Sequence, residues 1–355
     1  MDTIYSKERK KINALINVFF VKAKVIDYFN IFSKITFPRF WNSILLGLSY
    51  YFSKLTRKAI HRGMPLSISI EPTTFCNLQC PECPSGQRQF TRPTGNLGLS
   101  FYKKIIDQLH KKLMYLIVYF QGEPYLNKDF FGFIKYASSR KIYTATSTNA
   151  HFLDDENSRL TVESGLDRLI ISLDGINQEM YERYRKGGDY EKVIIGIENI
   201  IGWKKKLKSA KPYVIIQFLV FRHNEDKINE IKRIGKELGA NEVQIKTAQF
   251  YNFKKGNPLI PKNEKYSRYR KMPDGTFEIK GKLPNNCQRM WKSCVISWDG
   301  LVVPCCFDKD ATHLMGDLKT ELFENIWKNE KYNHFRTQIL KNRKKINICR
   351  NCTEV

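Results

Sequence analysis

From residue 66 onward, short apolar runs alternate with longer amphipathic stretches. The runs are SISIE (67–71), MYLIVYF (114–120), IYTATST (142–148), RLIISLD (168–174), YVIIQFLV (213–220) and EVQIKT (242–247). They are rich in Val, Ile, Tyr and Thr and mostly apolar throughout, the pattern of strands buried on both faces. Helical patterns fall between them, at about 101–113, 128–139, 155–164, 190–207 and 225–238. Six β/α units in succession predict a parallel sheet with helical crossovers. Right-handed crossovers curl such a sheet toward a barrel. The expected fold is therefore α/β, a partial (β/α)6 barrel. Residues 249–284 lose the rhythm, carry Pro258, Pro261, Pro273 and Pro284, and read as a connection. Residues 285–355 form a smaller, cysteine-rich unit, and residues 1–62 a basic, amphipathic helical extension. The expected domains are thus 1–62, 63–284 and 285–355. No internal repeat or low-complexity tract is visible.

Composition narrows the class. A chain of 355 residues exceeds one ordinary compact domain unless it is an α/β barrel with additions. Its 42% hydrophobic content argues against global disorder. Lys and Arg number 60 against 35 Asp and Glu, a net +25. That surplus fits an anionic partner (phosphate groups, nucleic acid or an acidic membrane surface) or a solvated basic surface. With no RNA-binding motif in view, nucleic acid is not expected. In residues 1–62, twelve Lys or Arg face three Asp or Glu, interleaved with Phe19, Phe20, Tyr28, Phe29, Phe32, Phe37, Phe40, Trp41, Tyr50, Tyr51 and Phe52. Two readings stand: an interfacial amphipathic segment, or a helical extension packed through its aromatic residues. The longest uncharged run, between Arg39 and Lys54, is too short to span a bilayer. The run near Phe19 lacks a small-residue cleavage pattern and soon meets Lys22 and Lys24, so no signal peptide is expected. Nine cysteines, an odd number in clusters, suggest metal binding in a reducing cytoplasm rather than a disulfide framework. The expected location is cytoplasmic, with peripheral attachment to the inner membrane surface as a variant.

The first strand runs into EPTTFCNLQCPECPSG, in which Cys76, Cys80 and Cys83 are spaced C-x3-C-x2-C. Structural zinc takes four ligands, often as paired CxxC units. Three thiolates instead leave one iron of a four-iron cluster open, as a chelating substrate or cofactor requires. In these residues the chain resembles the radical S-adenosylmethionine (SAM) superfamily. The resemblance implies a [4Fe–4S] cluster on Cys76, Cys80 and Cys83, with SAM chelating the fourth iron. Glu82 stands where the family often has an aromatic residue near the adenine.

Further pieces sit after successive strands, on the face where barrel enzymes place their chemistry. Gln121, Gly122, Glu123 and Pro124 (QGEP) stand where the family usually has two glycines before Glu-Pro. By resemblance the small residue admits the SAM amino group and Glu123 accepts from it. Ser147, Thr148 and Asn149 would face the ribose, Ser172 and Asp174 lie in ISLDG, and Arg185 would pair with the SAM carboxylate. Singly, each has an ordinary reading: an Asp-Gly pair is commonly a turn and a surface Arg is commonly solvated. Gln217 and Lys246 are polar residues in apolar strands, read first as satisfied core hydrogen bonds and second as ligand contacts.

The C-terminal unit resembles SPASM or twitch auxiliary domains through Trp298-Asp299-Gly300, the following Pro-Cys, Gly316, Asp317, Trp327 and a closing CxxC. That class binds one or two further [4Fe–4S] clusters. Six cysteines suffice for one fully ligated cluster, expected on Cys287, Cys305, Cys349 and Cys352; Cys294 and Cys306 are spares, since adjacent strand residues point opposite ways. Zinc is the alternative occupant. The resemblance implies reductive cleavage of SAM to a 5′-deoxyadenosyl radical that abstracts hydrogen from substrate, with a flavodoxin or ferredoxin as electron donor. The substrate is expected to be a peptide; a small-molecule or lipid-linked alcohol is the alternative. A metal-stapled binding protein is the non-enzymatic reading, disfavoured by the open iron.

Overall fold

The computed structural model describes residues 24–353; residues 1–23, including Phe19 and Phe20 of the expected extension, and 354–355 lie outside the described residues. Six strands fall where the apolar runs place them: β1 (Ser67–Ile70), β2 (Tyr115–Ile117), β3 (Tyr143–Thr148), β4 (Arg168–Ser172), β5 (Tyr213–Val220) and β6 (Glu242–Thr247). Each pairs in parallel with the next, with Ser69 opposite Ile117, Ala145 opposite Arg168 and Ser172 opposite Gln217. The crossovers are helices Leu99–Leu109, Phe130–Ser139, Asp155–Glu163, Tyr190–Lys206 and Ile228–Glu237. Each turns an apolar stripe to the sheet; on the first it is Tyr102, Ile105, Ile106 and Leu109. Side-chain caps fix two of the starts, with Asp154 accepting from the Asn157 amide and Asp189 from the Lys192 amide. Lys246 is exposed on β6, so it needs no core partner.

The stretch expected as a connection contains a small antiparallel hairpin, β7 (Tyr269–Lys271) and β8 (Phe277–Ile279). After it, β9 (Ser293–Ile296) returns to pair in parallel with β1, and β10 (Leu301–Val303) and β11 (Gly316–Asp317) continue antiparallel. The result is one nine-stranded sheet in the order β11-β10-β9-β1-β2-β3-β4-β5-β6. The cysteine-rich unit therefore covers the open edge of the barrel sheet. Its Trp298 amide donates to Glu71 at 3.2 Å, and Glu71 takes a bidentate, buried pairing from Arg92 at 2.8 and 2.6 Å. A Cβ at Gly95 would stand 2.6 Å from the Trp298 ring, so that loop must be bare backbone.

The N-terminal helix Phe37–Thr56 is turned opposite to the packed-aromatic expectation. Its buried stripe is Arg39, Asn42, Leu46, Ser49 and Ser53. Arg39 donates to the carbonyls of Lys34, Lys141, His110 and Arg140. Asn42 brackets Met64, Ser49 accepts from the Arg62 amide and Ser53 from the Ile60 amide. A polar stripe packs well here because the surface below it consists of unpaired loop carbonyls and amides.

Candidate active site

The cysteine loop leaves β1 over short polar turns. Cys80 is buried and Cys76 and Cys83 are half-buried, with thiols close enough for each to influence the others electrostatically. Helix Pro84–Gln87 locks the loop. A Cβ on Gly86 would meet the Cys80 amide nitrogen at 2.7 Å, and Gln87 donates to the carbonyls of Gln79 and Cys80. Burial pushes the Cys76 thiol up to about 12 and raises Cys80 as well, so a metal taken up here displaces protons.

The residues expected around SAM gather at the same strand ends. Gly122 has φ +73°, and a Cβ on it would stand 2.4 Å from the Thr73 carbonyl oxygen. The chain's own backbone thus demands that glycine, independently of any ligand. Its amide donates to Ser85 at 2.8 Å, a link the sequence reading missed. Glu123 is almost fully buried and accepts from Asn149 N at 2.7 Å, Thr148 Oγ1 at 2.8 Å and Tyr125 N at 3.3 Å. Burial raises its carboxyl to about 7, against the pull of these donors. Pro124 begins the 3-10 turn Pro124–Leu126 behind it, and Gln121 donates to the Phe120 carbonyl.

Asn149 donates to Asn77 at 2.7 Å and stands 3.9 Å from the Cys76 sulfur. Ser147 is half-buried one residue before Thr148, and Ser172 is buried at the end of β4. Asp174 is fully buried, accepts from Arg185 Nε at 2.6 Å and from Leu219 N at 2.7 Å, and so holds Arg185 with a guanidinium nitrogen 4.0 Å from the Cys80 sulfur. Asn224, unremarked in the sequence, donates to the Asp174 carbonyl at 2.9 Å. Glu82 ties the cysteine loop to the connection, accepting from Tyr251 N and Asn257 Nδ2 at 3.0 and 2.9 Å.

In the C-terminal unit Cys287, Cys305, Cys349 and Cys352 line one small cavity with Arg343, whose guanidinium donates to Cys352 Sγ at 3.2 Å. Cys306 lies outside that lining, at 3.2 Å from Arg289 Nη1, and Cys294 is buried in β9. Among the described residues no group of three or more His, Cys, Asp or Glu closes into a single-ion shell. Beside the second cysteine set runs an open cleft of about 1420 Å³, lined by Tyr251, Phe253, Arg270, Phe277, Lys280, Arg350 and Cys352 among others.

Residues 70–234 match the radical SAM superfamily, and residues 287–353 match the SPASM iron–sulfur cluster-binding domain. The chain belongs to the radical SAM superfamily and is a radical SAM enzyme with a SPASM domain. Membership brings SAM and a [4Fe–4S] cluster in the first domain and auxiliary iron–sulfur in the second. Among curated relatives, PqqA peptide cyclase of Bradyrhizobium diazoefficiens is 25% identical over 77% of this chain and 76% of its own length. The tungsten-containing aldehyde ferredoxin oxidoreductase cofactor-modifying protein of Pyrococcus furiosus is 24% identical over 75% and 82%. In fold, the chain is similar to Streptococcus suis SuiB bound to its precursor peptide SuiA, with TM-score 0.60 and 13% identity over 85% of this chain and 73% of that one.

Proposed function

We propose that this enzyme modifies a peptide, using Cys76, Cys80 and Cys83 to hold the SAM-binding cluster and Cys287, Cys305, Cys349 and Cys352 to hold one auxiliary cluster. The cleft carries this reading. At about 1420 Å³ it exceeds the usual size of a small-molecule pocket, roughly 300–1,000 Å³, and it is open along its length. It runs past the β7–β8 hairpin, which forms a separate two-stranded ribbon. Basic groups on its wall (Lys254, Arg270, Lys280, Lys282, Lys344 and Arg350) favour a substrate with carboxylates. A relative that cyclises a peptide supports the same class. Sequence similarity to a cofactor-modifying protein, and a second cleft of about 310 Å³ beside Cys83, favour a compact substrate as the alternative.

A cluster held by Cys76, Cys80 and Cys83 would supply an open iron for SAM and pass on the electron for its cleavage. The remaining work belongs to the chain's side chains. Glu123 presents a carboxylate to an ammonium group, with both oxygens already oriented by Thr148, Asn149 and Tyr125. Asp174 fixes Arg185, a fully ionised donor, beside the cluster loop. Ser147, Asn149 and Ser172 add hydroxyl and amide groups at the neighbouring strand ends, and Gln121, Gly122 and Pro124 set the turn that aims Glu123. An external low-potential donor such as a flavodoxin or ferredoxin supplies the electron. The test is anaerobic reconstitution followed by iron, sulfide and SAM-cleavage assays with and without peptides encoded beside the gene. We expect about eight irons per chain, SAM cleavage under reduction, and a mass change on one such peptide. Zinc in place of iron, or cleavage that no peptide affects while a small alcohol is consumed, refutes the peptide reading.

A further inference from the structure

The inverted N-terminal helix points to a second surface with a function of its own. Helix Phe37–Thr56 buries its polar stripe and presents Phe37, Phe40, Trp41, Tyr51, Phe52 and Leu55 to solvent, Phe37 at 78% exposure. The preceding helical segment, 24–32, repeats the inversion. Asp27 is buried against Tyr143 and Arg168, while Tyr28, Phe29 and Phe32 face out. Two successive elements with polar residues inside and aromatic residues outside are built for an outer medium that is less polar than water.

Their place in the fold is defined. Arg39 binds carbonyls at 110, 140 and 141, just ahead of β2 and β3, so the helix lies at the strand starts. The cysteine loop, Glu123 and Asp174 lie at the opposite, C-terminal ends. The same floor is basic. A cleft of about 540 Å³ beside Ile26 and Asn30 is lined by Lys204, Lys205, Lys208 and Lys211, with Asp167 paired to Lys211, Asp27 paired to Arg168, and Leu207 exposed nearby. Burial lowers the Lys204 ammonium to about 8; Lys205 and Lys208 are exposed.

We propose that this floor is a peripheral membrane-binding face that docks on an anionic phospholipid surface. Exposed Trp, Tyr and Phe are the side chains that settle at a bilayer interface. Flanking Lys and Arg complement acidic headgroups, each contributing roughly 1 kcal/mol near such a surface. Among the described residues no helix is long and apolar enough to cross a membrane, so the contact is in-plane. Docked this way, the catalytic mouth faces away from the lipid, which fits a substrate delivered from the aqueous side. That orientation does not depend on the peptide reading.

The experiment is flotation of the full-length reconstituted enzyme with vesicles of phosphatidylcholine alone and of equal parts phosphatidylcholine and phosphatidylglycerol. We expect flotation with the anionic vesicles only, weakening with added salt. F37S/F40S/W41S and, separately, K205E/K208E should each lower the vesicle-bound fraction about tenfold or more, with SAM cleavage unchanged. Tryptophan fluorescence should also be partly quenched by brominated lipid in the unaltered protein, a readout that needs no variant to fold. Absence of flotation and of quenching overturns the proposal. So does a lipid-free dimer that the aromatic substitutions dissociate, which would make a second copy the occupant of this face.

Discussion

Glu123 is the residue whose environment is most specialised. Its burial holds the carboxyl near neutrality, and three oriented donors keep its oxygens in place. Glu123→Gln preserves the shape and removes the charge. SAM affinity, followed by equilibrium dialysis of the reconstituted enzyme, should fall by about tenfold or more, the worth of a hydrogen bond to a charged group, while iron content stays constant. The Glu71–Arg92 pair is a different case. Both side chains are buried and satisfy each other, so Arg92→Met leaves a carboxyl without its partner. Such a loss typically costs about 3–5 kcal/mol, and thermal unfolding should report it as a large drop in Tm.

His61 carries the pH dependence. Burial and the neighbouring Arg336 push its imidazole down to about 3, while it contacts the Trp291 carbonyl and packs edge-on against Trp327. The unfolded imidazole, near 6.5, therefore binds its proton at a higher pH than the folded one. Stability is full above about pH 6.5 and declines as pH falls toward 3, by about 1.4 kcal/mol per pH unit in that window. His61→Phe keeps a ring there and removes the titration. The urea midpoints of the variant should differ less between pH 7 and pH 5 than those of the unaltered protein.

At the scale of elements, the sequence was readable where periodicity reports burial. The six parallel strands and five crossover helices stand within a few residues of the apolar runs, because two-sided burial leaves an unmistakable composition in β3, β4 and β5. The cysteine motif and the Glu123 turn were legible because their residue types have few other uses. Three features were not. The orientation of helix Phe37–Thr56 was ambiguous, since a stripe of Arg39, Asn42, Ser49 and Ser53 looks solvated until the carbonyls it meets are in place. The hairpin β7–β8 was too short to emerge from a proline-rich stretch. The Asp174–Arg185 pair and the Ser85–Gly122 link join distant parts of the chain, which no local pattern encodes. Gly122 is required by the backbone whatever ligand it meets: its missing side chain makes room for the Thr73 carbonyl. Gly122→Ala should therefore lower Tm even in protein stripped of iron, a test that separates backbone strain from lost ligand contact.

For the whole molecule, the sheet is the governing unit. β9 hydrogen-bonds to β1 along its length, and Trp291, Trp327 and Tyr332 belong to the same apolar core as the barrel helices. A chain truncated after residue 284 should not persist as a soluble barrel. It would bare the β1 edge and that apolar surface, and should aggregate on expression, as size-exclusion chromatography will show. The same pairing sets an order in time. Ser67 leaves the ribosome long before its neighbour Ser293 is synthesised. The first strand of the barrel must wait for the whole barrel and its connection to be made, and a nascent chain in that interval is a natural client for chaperones.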